Sequence, residues 1–202
     1  MRENLNSFIW KGWVLEKLED FSILEGFDCG DAEINDYYRN LAYAHYAAGI
    51  TETYCFYPIC DGCSQEDSAA FADLCCSSIN LKVWPEERKQ EAGLDRFAYA
   101  SFPSMKLTRL GVDREFHGLG VGTHLLDAVK NYLVQNHLFG CRFLQVDAYN
   151  TEKTLRFYCE KNQFQRVPLS KNIRLEERPT VPLMFDLALL RRVPSDGGTG
   201  IF

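Results

Sequence analysis

Asp113-Arg114-Glu115-Phe116-His117-Gly118-Leu119-Gly120-Val121-Gly122-Thr123 is the stretch on which the reading of this chain turns. Before it lies a run with strand character, residues 104–112 (SMKLTRLGV). After it, Leu125, Leu126, Val129, Tyr132 and Leu133 recur at helical spacing, and His124, Asp127, Lys130 and Asn131 take the other face, which predicts an amphipathic helix over about 120–137. Three glycines at alternate positions thus sit between a strand and a helix start. Glycine lets the backbone come close to a ligand, and the first-turn amides then point at it with the helix dipole, about half a positive charge, behind them. That combination suits a pyrophosphate. A Walker loop is excluded, because Gly122-Thr123-His124 has no lysine, and Thr123 stands where a dinucleotide fingerprint needs its third glycine. Without a ligand, the same glycines would serve a tight strand-to-helix turn.

Outward from the turn, residues 142–149 read as a strand, 151–161 as a helix, and 164–168 and 180–190 as two further strands. Upstream, 13–20 reads as a strand and 31–48 as a helix with Asp31 as N-cap and Gly49 as its left-handed stop. Residues 51–60 and 70–81 form a predicted antiparallel hairpin, and 84–101 an irregular or short helical excursion. The unit 104–149 is strand-helix-strand, so its strands should be parallel. The fold class is therefore α/β with a mixed, mostly antiparallel sheet. Over 202 residues, at about 150 per domain, this predicts a single domain over 1–193 followed by a Gly-rich tail, 194–202.

Composition narrows the functions. Hydrophobic residues make up 46% and charged residues 25%, an ordinary globular balance. With 22 basic and 28 acidic side chains the net charge is −6, which disfavours nucleic-acid and membrane-surface binding. No signal peptide or membrane-length apolar run is legible, so a cytoplasmic location is expected, and the eight cysteines are expected as thiols. Cys60-Asp61-Gly62-Cys63 with Cys75-Cys76 has the spacing of zinc ligands, but adjacent cysteines share one tetrahedral face poorly and Asp-Gly is ordinary turn chemistry, so no metal is assigned. The tyrosines Tyr37, Tyr38, Tyr43 and Tyr46 read as helix core and cleft wall.

Leu110-Gly111-Val112 followed by His117-x-x-Gly120-x-Gly122 resembles motif A of the GNAT N-acetyltransferases, with His117 where the family has Arg or Gln. Val146-Asp147-Ala148-Tyr149-Asn150, then Phe157-Tyr158 and Phe164, resembles motif B. The resemblance implies the acyl-CoA N-acyltransferase fold and transfer of acetyl from acetyl-CoA to a primary amine of a small molecule or protein. It implies a cofactor site made of Leu110, Gly111, Val112, His117, Gly118, Leu119, Gly120, Val121, Gly122, Thr123 and Asn150, with a bulge at Gly111 and Asn150 doubling as a helix N-cap. It implies Tyr158 as the acid that protonates the leaving thiolate, with Cys159 as the alternative register and Asn162 in the left-handed position after the helix. For the general base, Asp147, Glu52 and Glu115 stay open. Phe27-Asp28-Cys29-Gly30 and the following helix resemble GNAT toxins that acetylate aminoacyl-tRNA, so such a toxin paired with an antitoxin is one alternative. A degenerate coenzyme A-binding module is another, and a homodimer is compatible with any of these readings.

Overall fold

The computed structural model describes residues 6–135, 140–169 and 178–191. It begins with β1 (Ser7–Trp10) and β2 (Trp13–Lys17), paired antiparallel. The helical stretch α1 (Ala32–Asp36) runs through a π-turn, Tyr37–Leu41, into α2 (Ala42–Ala47). The hairpin strands follow, β3 (Glu52–Pro58) and β4 (Ala70–Asn80), then the short α3 (Glu86–Glu91). Next come β5 (Ser101–Val112), α4 (Val121–Gln135) and β6 (Phe143–Tyr149). α5 (Glu152–Leu155) continues as a second π-turn, Arg156–Lys161, before β7 (Gln165–Arg166) and β8 (Thr180–Asp186). One sheet holds all eight strands in the order β1-β2-β3-β4-β5-β6-β8-β7, and β5–β6 is its parallel pair. The predicted mixed sheet is the observed one. The predicted tail, 194–202, lies outside the described residues.

Alternation along the strands builds two layers. Tyr54, Phe56, Ala70, Ala72 and Leu74 face α4, meeting Leu125, Leu126, Val129 and Leu133. Cys55 and Phe71 face the other way, against Leu24, Phe27, Tyr37, Tyr38 and Ala42. Tyr37 and Tyr38 are adjacent yet both buried, at 4% and 1% exposure; the π-turn widens the helix so that neighbouring side chains reach the same core. Tyr43 and Tyr46 depart from expectation: they are exposed, packing on Phe21 instead. Asp31 caps α1 through the Glu33 and Ile34 amides. At the other end Gly49, at φ +67°, closes α2 with Gly49 N–H donating to Tyr46 and Ile50 N–H to His45, the paired bonds of a Schellman stop.

Three further expectations are corrected. Cys60 and Cys63 form a disulfide, their Cα atoms brought within 5.2 Å by the turn at Gly62, while the other six cysteines are free. Lys130, placed by periodicity on the polar face of α4, is 4% exposed, because Phe185 of β8 and the residues Asn162 and Phe164 that follow the second π-turn pack against it. The bulge in β5 falls at Thr108, not Gly111: Asp73 pairs with Arg109 and Leu74 with Leu107, leaving Thr108 as the extra residue. Thr108 Oγ1 donates to the Asp73 carbonyl at 3.3 Å. Among the described residues, no helix is long and apolar enough to cross a membrane.

Candidate active site

β5 and β6 pair only from Ser104–Leu107 against Phe143–Val146. Beyond that, β5 stays with β4 as far as Val112, while β6 stays with β8 as far as Tyr149. The strands splay, and a cleft of about 1180 Å³ opens between them. Asp113 N–H donates to the Ala69 carbonyl, so by alternation the Leu110 and Val112 amides point away from β4 into the cleft and that of Gly111 points toward β4.

Gly111 has a packing role instead. A Cβ there would lie 2.8 Å from Phe27 Cζ and 3.3 Å from Ile34 Cγ2. Its bare backbone lets the N-terminal segment dock on β5. The segment is then stitched to the start of the glycine turn: Arg114 N–H donates to the Asp28 carbonyl at 2.9 Å, Asp28 N–H to Asp113 Oδ2 at 3.3 Å, and Arg114 pairs with the Asp28 carboxylate at 3.3 Å. Hydrogen bonds from Gly30 N–H and Asn35 Nδ2 hold the Asp28 carboxyl below its ordinary pKa. This is the structural content of Phe27-Asp28-Cys29-Gly30.

At the turn, Gly118 and Gly120 both take φ +80°, which only glycine adopts without strain. A Cβ at Gly118 would meet nothing, so that glycine serves conformation rather than packing. Gly122 differs: its Cβ would lie 3.3 Å from both Phe157 and Val112, so it allows α4 to approach β5 closely. The Val121 and Gly122 amides, in the helix's first turn, lack intrahelical partners and open on the cleft. His117 Nε2 reaches the Val112 carbonyl at 2.9 Å and ties the turn back to the strand. Leu119 is 67% exposed and, like Asn150, stands outside the cleft lining. Asn150 Nδ2 donates to the Arg178 carbonyl at 3.0 Å, and Thr151, not Asn150, caps α5.

Tyr158 lines the cleft and Cys159 does not. Its ring is held edge-on by Phe157 at 4.9 Å and Phe164 at 5.4 Å. Burial pushes its phenol well above the ordinary tyrosine range, so it carries its proton throughout neutral pH. The left-handed residue after this helix is Gln163, at φ +60°, whereas Asn162 sits at φ −115°. The π-turn holds one more residue than an α-turn, which moves the stop one place along and sets Phe164 six residues after Tyr158.

Of the three base candidates, Asp147 alone lines this cleft, and Lys106 Nζ holds it at 2.6 Å. Glu52 pairs with Lys17 at 3.4 Å elsewhere, and Glu115 also lies outside the lining. The sequence reading missed the wall opposite Tyr158. There Arg109 lies over the Tyr37 ring at 4.8 Å and 3.7 Å from Glu33, which also accepts from the Tyr149 hydroxyl at 2.9 Å. Beneath Arg109, Asp73 is fully buried and accepts from the Tyr37 hydroxyl. Burial raises the Asp73 carboxyl to about 6, against the pull of the Tyr37, Thr53 and Thr51 hydroxyls and Arg109.

Residues 79–164 match the model of the acetyltransferase (GNAT) family. The match spans β5, the glycine turn, α4, β6 and the segment that carries Tyr158, and the chain's mixed sheet has the GNAT fold. Among solved structures, the chain is similar to AtaT complexed with acetyl-methionyl-tRNAfMet (23% identity, 88% of this chain and 96% of that one, TM-score 0.68). It is also similar to a tyrosine-to-phenylalanine mutant of KacT (20%, 89% and 98%, TM-score 0.68) and to AtaTR bound with AcCoA (24%, 90% and 99%, TM-score 0.65).

Proposed function

We propose that this protein is an acetyl-CoA-dependent N-acetyltransferase acting on a primary amine. The observation that carries the reading is the splayed β5–β6 cleft, with strand amides on one wall, the glycine turn at its mouth and a protonated tyrosine beside it. The residues fit the cofactor: Gly118 and Gly120 in left-handed conformation and the open amides of Val121 and Gly122 make an anion cradle, and Lys153, Arg156 and Lys161 line the same cleft. When bound, acetyl-CoA supplies an acetyl group on a thioester. The Leu110 and Val112 amides are aimed where a thioester oxygen gains charge, which is oxyanion-hole logic. Tyr158 delivers its proton to the departing sulfur. Asp147, held by Lys106, is the carboxylate placed to take a proton from the acceptor.

The cleft also carries Asp31, Glu33 and Asp147 beside Lys106 and Arg109, a wall with one more carboxylate than cation that an ammonium can approach. With the net charge of −6, this favours a small or protein-borne amine. A second reading, the α-amine of an aminoacyl-tRNA, is supported by the likeness to AtaT, whose complex holds acetyl-methionyl-tRNAfMet and whose fold match includes 88% of this chain.

The test is a thiol-release screen of amines, peptides and charged tRNAs, with Tyr158→Phe in parallel. Tyr158→Phe should lower kcat about 100-fold while coenzyme A affinity holds, since the hydroxyl acts on the leaving group. Turnover with charged tRNA alone, with tight and steeply salt-dependent binding, selects the second reading. Coenzyme A binding without turnover on any acceptor would leave a binding module.

A further inference from the structure

Among the described residues, one buried ammonium is left unused by the mechanism above. Lys130, in the middle of α4, is 4% exposed. Its Nζ lies 4.3 Å from the Phe185 ring centre and 5.3 Å from that of Phe164, and it donates to the Asn162 carbonyl at 2.9 Å. Asp127, on the same helix at 3.8 Å, is the charged group facing it among the described residues. A helix-core position that needed only packing would be filled at lower cost by leucine or methionine, because burying a charge is expensive unless it is well paired.

What Lys130 touches is the end of the segment that carries Tyr158. The second π-turn stops at Asn162, and three carbonyls there need donors. The Tyr158 carbonyl takes Phe164 N–H at 3.0 Å, the Phe157 carbonyl takes Asn162 Nδ2 at 2.8 Å, and the Asn162 carbonyl takes Lys130. Asn162 Nδ2 also lies 3.5 Å from Thr123 Oγ1, in the first turn of α4. The helix that forms the anion cradle at its start therefore grips the tyrosine's π-turn at two points, Thr123 and Lys130. Phe164, one wall of the ammonium's cage, is also one of the two rings that hold Tyr158 edge-on.

We infer that Lys130 is a positioning residue, acting through Asn162 and Phe164 to fix the Tyr158 hydroxyl relative to the glycine turn. The inference rests on the reading of Tyr158 as the acid. The π-turn's ladder ends at Lys161 and leaves its last carbonyls without helical donors, and a misplacement of about 1 Å at a reacting group can cost on the order of 100-fold in rate. An anchor from the rigid neighbouring helix supplies what the turn lacks.

A double-mutant cycle tests this. Lys130→Met keeps the stem and removes the donor and the charge. It should lower kcat about 10-fold, with coenzyme A affinity unchanged, since the cradle amides are untouched. In the Tyr158→Phe background the same substitution should have almost no effect on kcat, because the hydroxyl it positions is gone. A purely structural role would lower melting temperature and active fraction yet leave kcat per active site alone. An unchanged kcat, or losses that multiply in the double mutant, would overturn the inference. If Tyr158→Phe alone runs at the wild-type rate, it is the acid assignment that fails, whatever Lys130→Met does. Should Lys130→Met not fold, the cycle is run with Lys130→Gln, which removes the charge and draws the donor back from the Asn162 carbonyl. Its kcat loss must likewise vanish without the Tyr158 hydroxyl, and a loss that persists counts against the proposal.

Discussion

Gly111→Ala is the smallest change that challenges the site's architecture, and its cost can be worked from contacts. The new Cβ would stand 2.8 and 2.9 Å from Phe27 Cζ and Cε1 and 3.3 Å from Ile34 Cγ2. Carbon atoms in comfortable contact sit at about 3.5–4.0 Å, so the ring must retreat by more than half an ångström. It has little room: Phe27 is 4% exposed and held edge-on by Tyr38 at 5.4 Å and Phe71 at 5.0 Å. Overpacking of this kind costs about 1–3 kcal/mol. Removing a glycine from the unfolded chain returns about 0.4–1 kcal/mol. The net expectation is a loss of about 1–2 kcal/mol, read as a lower urea midpoint at unchanged slope. Phe27→Leu in the same chain should relieve the clash, so the double mutant should lie at least about 1 kcal/mol above the sum of the singles. A Gly111→Ala protein as stable as wild type, or strict additivity with Phe27→Leu, would refute the claim that close approach to Phe27 is why this position is glycine.

Other outcomes follow from buried charge and backbone strain. Asp73 holds its proton more tightly when folded, so stability from this group is full below about pH 4 and is lost as pH rises through about 6. The shift from 3.8 to about 6 corresponds to about 3 kcal/mol, and Asp73→Asn should remove that much of the pH dependence in melting curves between pH 4 and 7. Lys130 runs the other way: burial, partly opposed by Asp127, lowers its pKa to about 8, so the folded chain sheds the proton first and gains stability from pH 8 to about 10. Lys130→Met should flatten that alkaline rise in the same experiment. Gln163→Gly should stabilise the protein by about 0.5–1 kcal/mol in urea titration, because Gln163 holds φ +60° at a cost glycine does not bear.

The strand-helix-strand unit around the glycine turn was legible because its signals are local: apolar periodicity on both sides, and glycines where φ turns positive at Gly118 and Gly120. The β1–β2 hairpin was not, because its turn is Lys11-Gly12, with Lys11 at φ +49° in a place where Asn or Asp is the usual sign. Neither π-turn announces itself, since one extra residue in a helix leaves apolar spacing nearly intact. The six-residue step from Tyr158 to Phe164 was the single trace of the second. Lys130 was misplaced for a different reason: its cage comes from Phe164 and Phe185, which periodicity within α4 cannot see. The Arg109–Glu33–Tyr149 wall joins three elements far apart in sequence, and each residue taken alone reads as a surface side chain.

The extra residue at Thr108 divides β5 into two segments whose alternation is out of phase. Leu107, before it, and Leu110, after it, both face α4, although an unbroken strand would turn them to opposite sides. The slip is what sets Arg109 over Tyr37, sends the bare backbone of Gly111 toward Phe27 and leaves the Leu110 and Val112 amides on the open side. Were the strand to run through Thr108 with unbroken alternation, every later position would turn to the opposite face: the guanidinium would be driven among the leucines of α4, and Leu110 would be turned to the face that holds Tyr37 and Asp73. The wall of the cleft is therefore specified as much by where the strand loses count as by which side chains it carries.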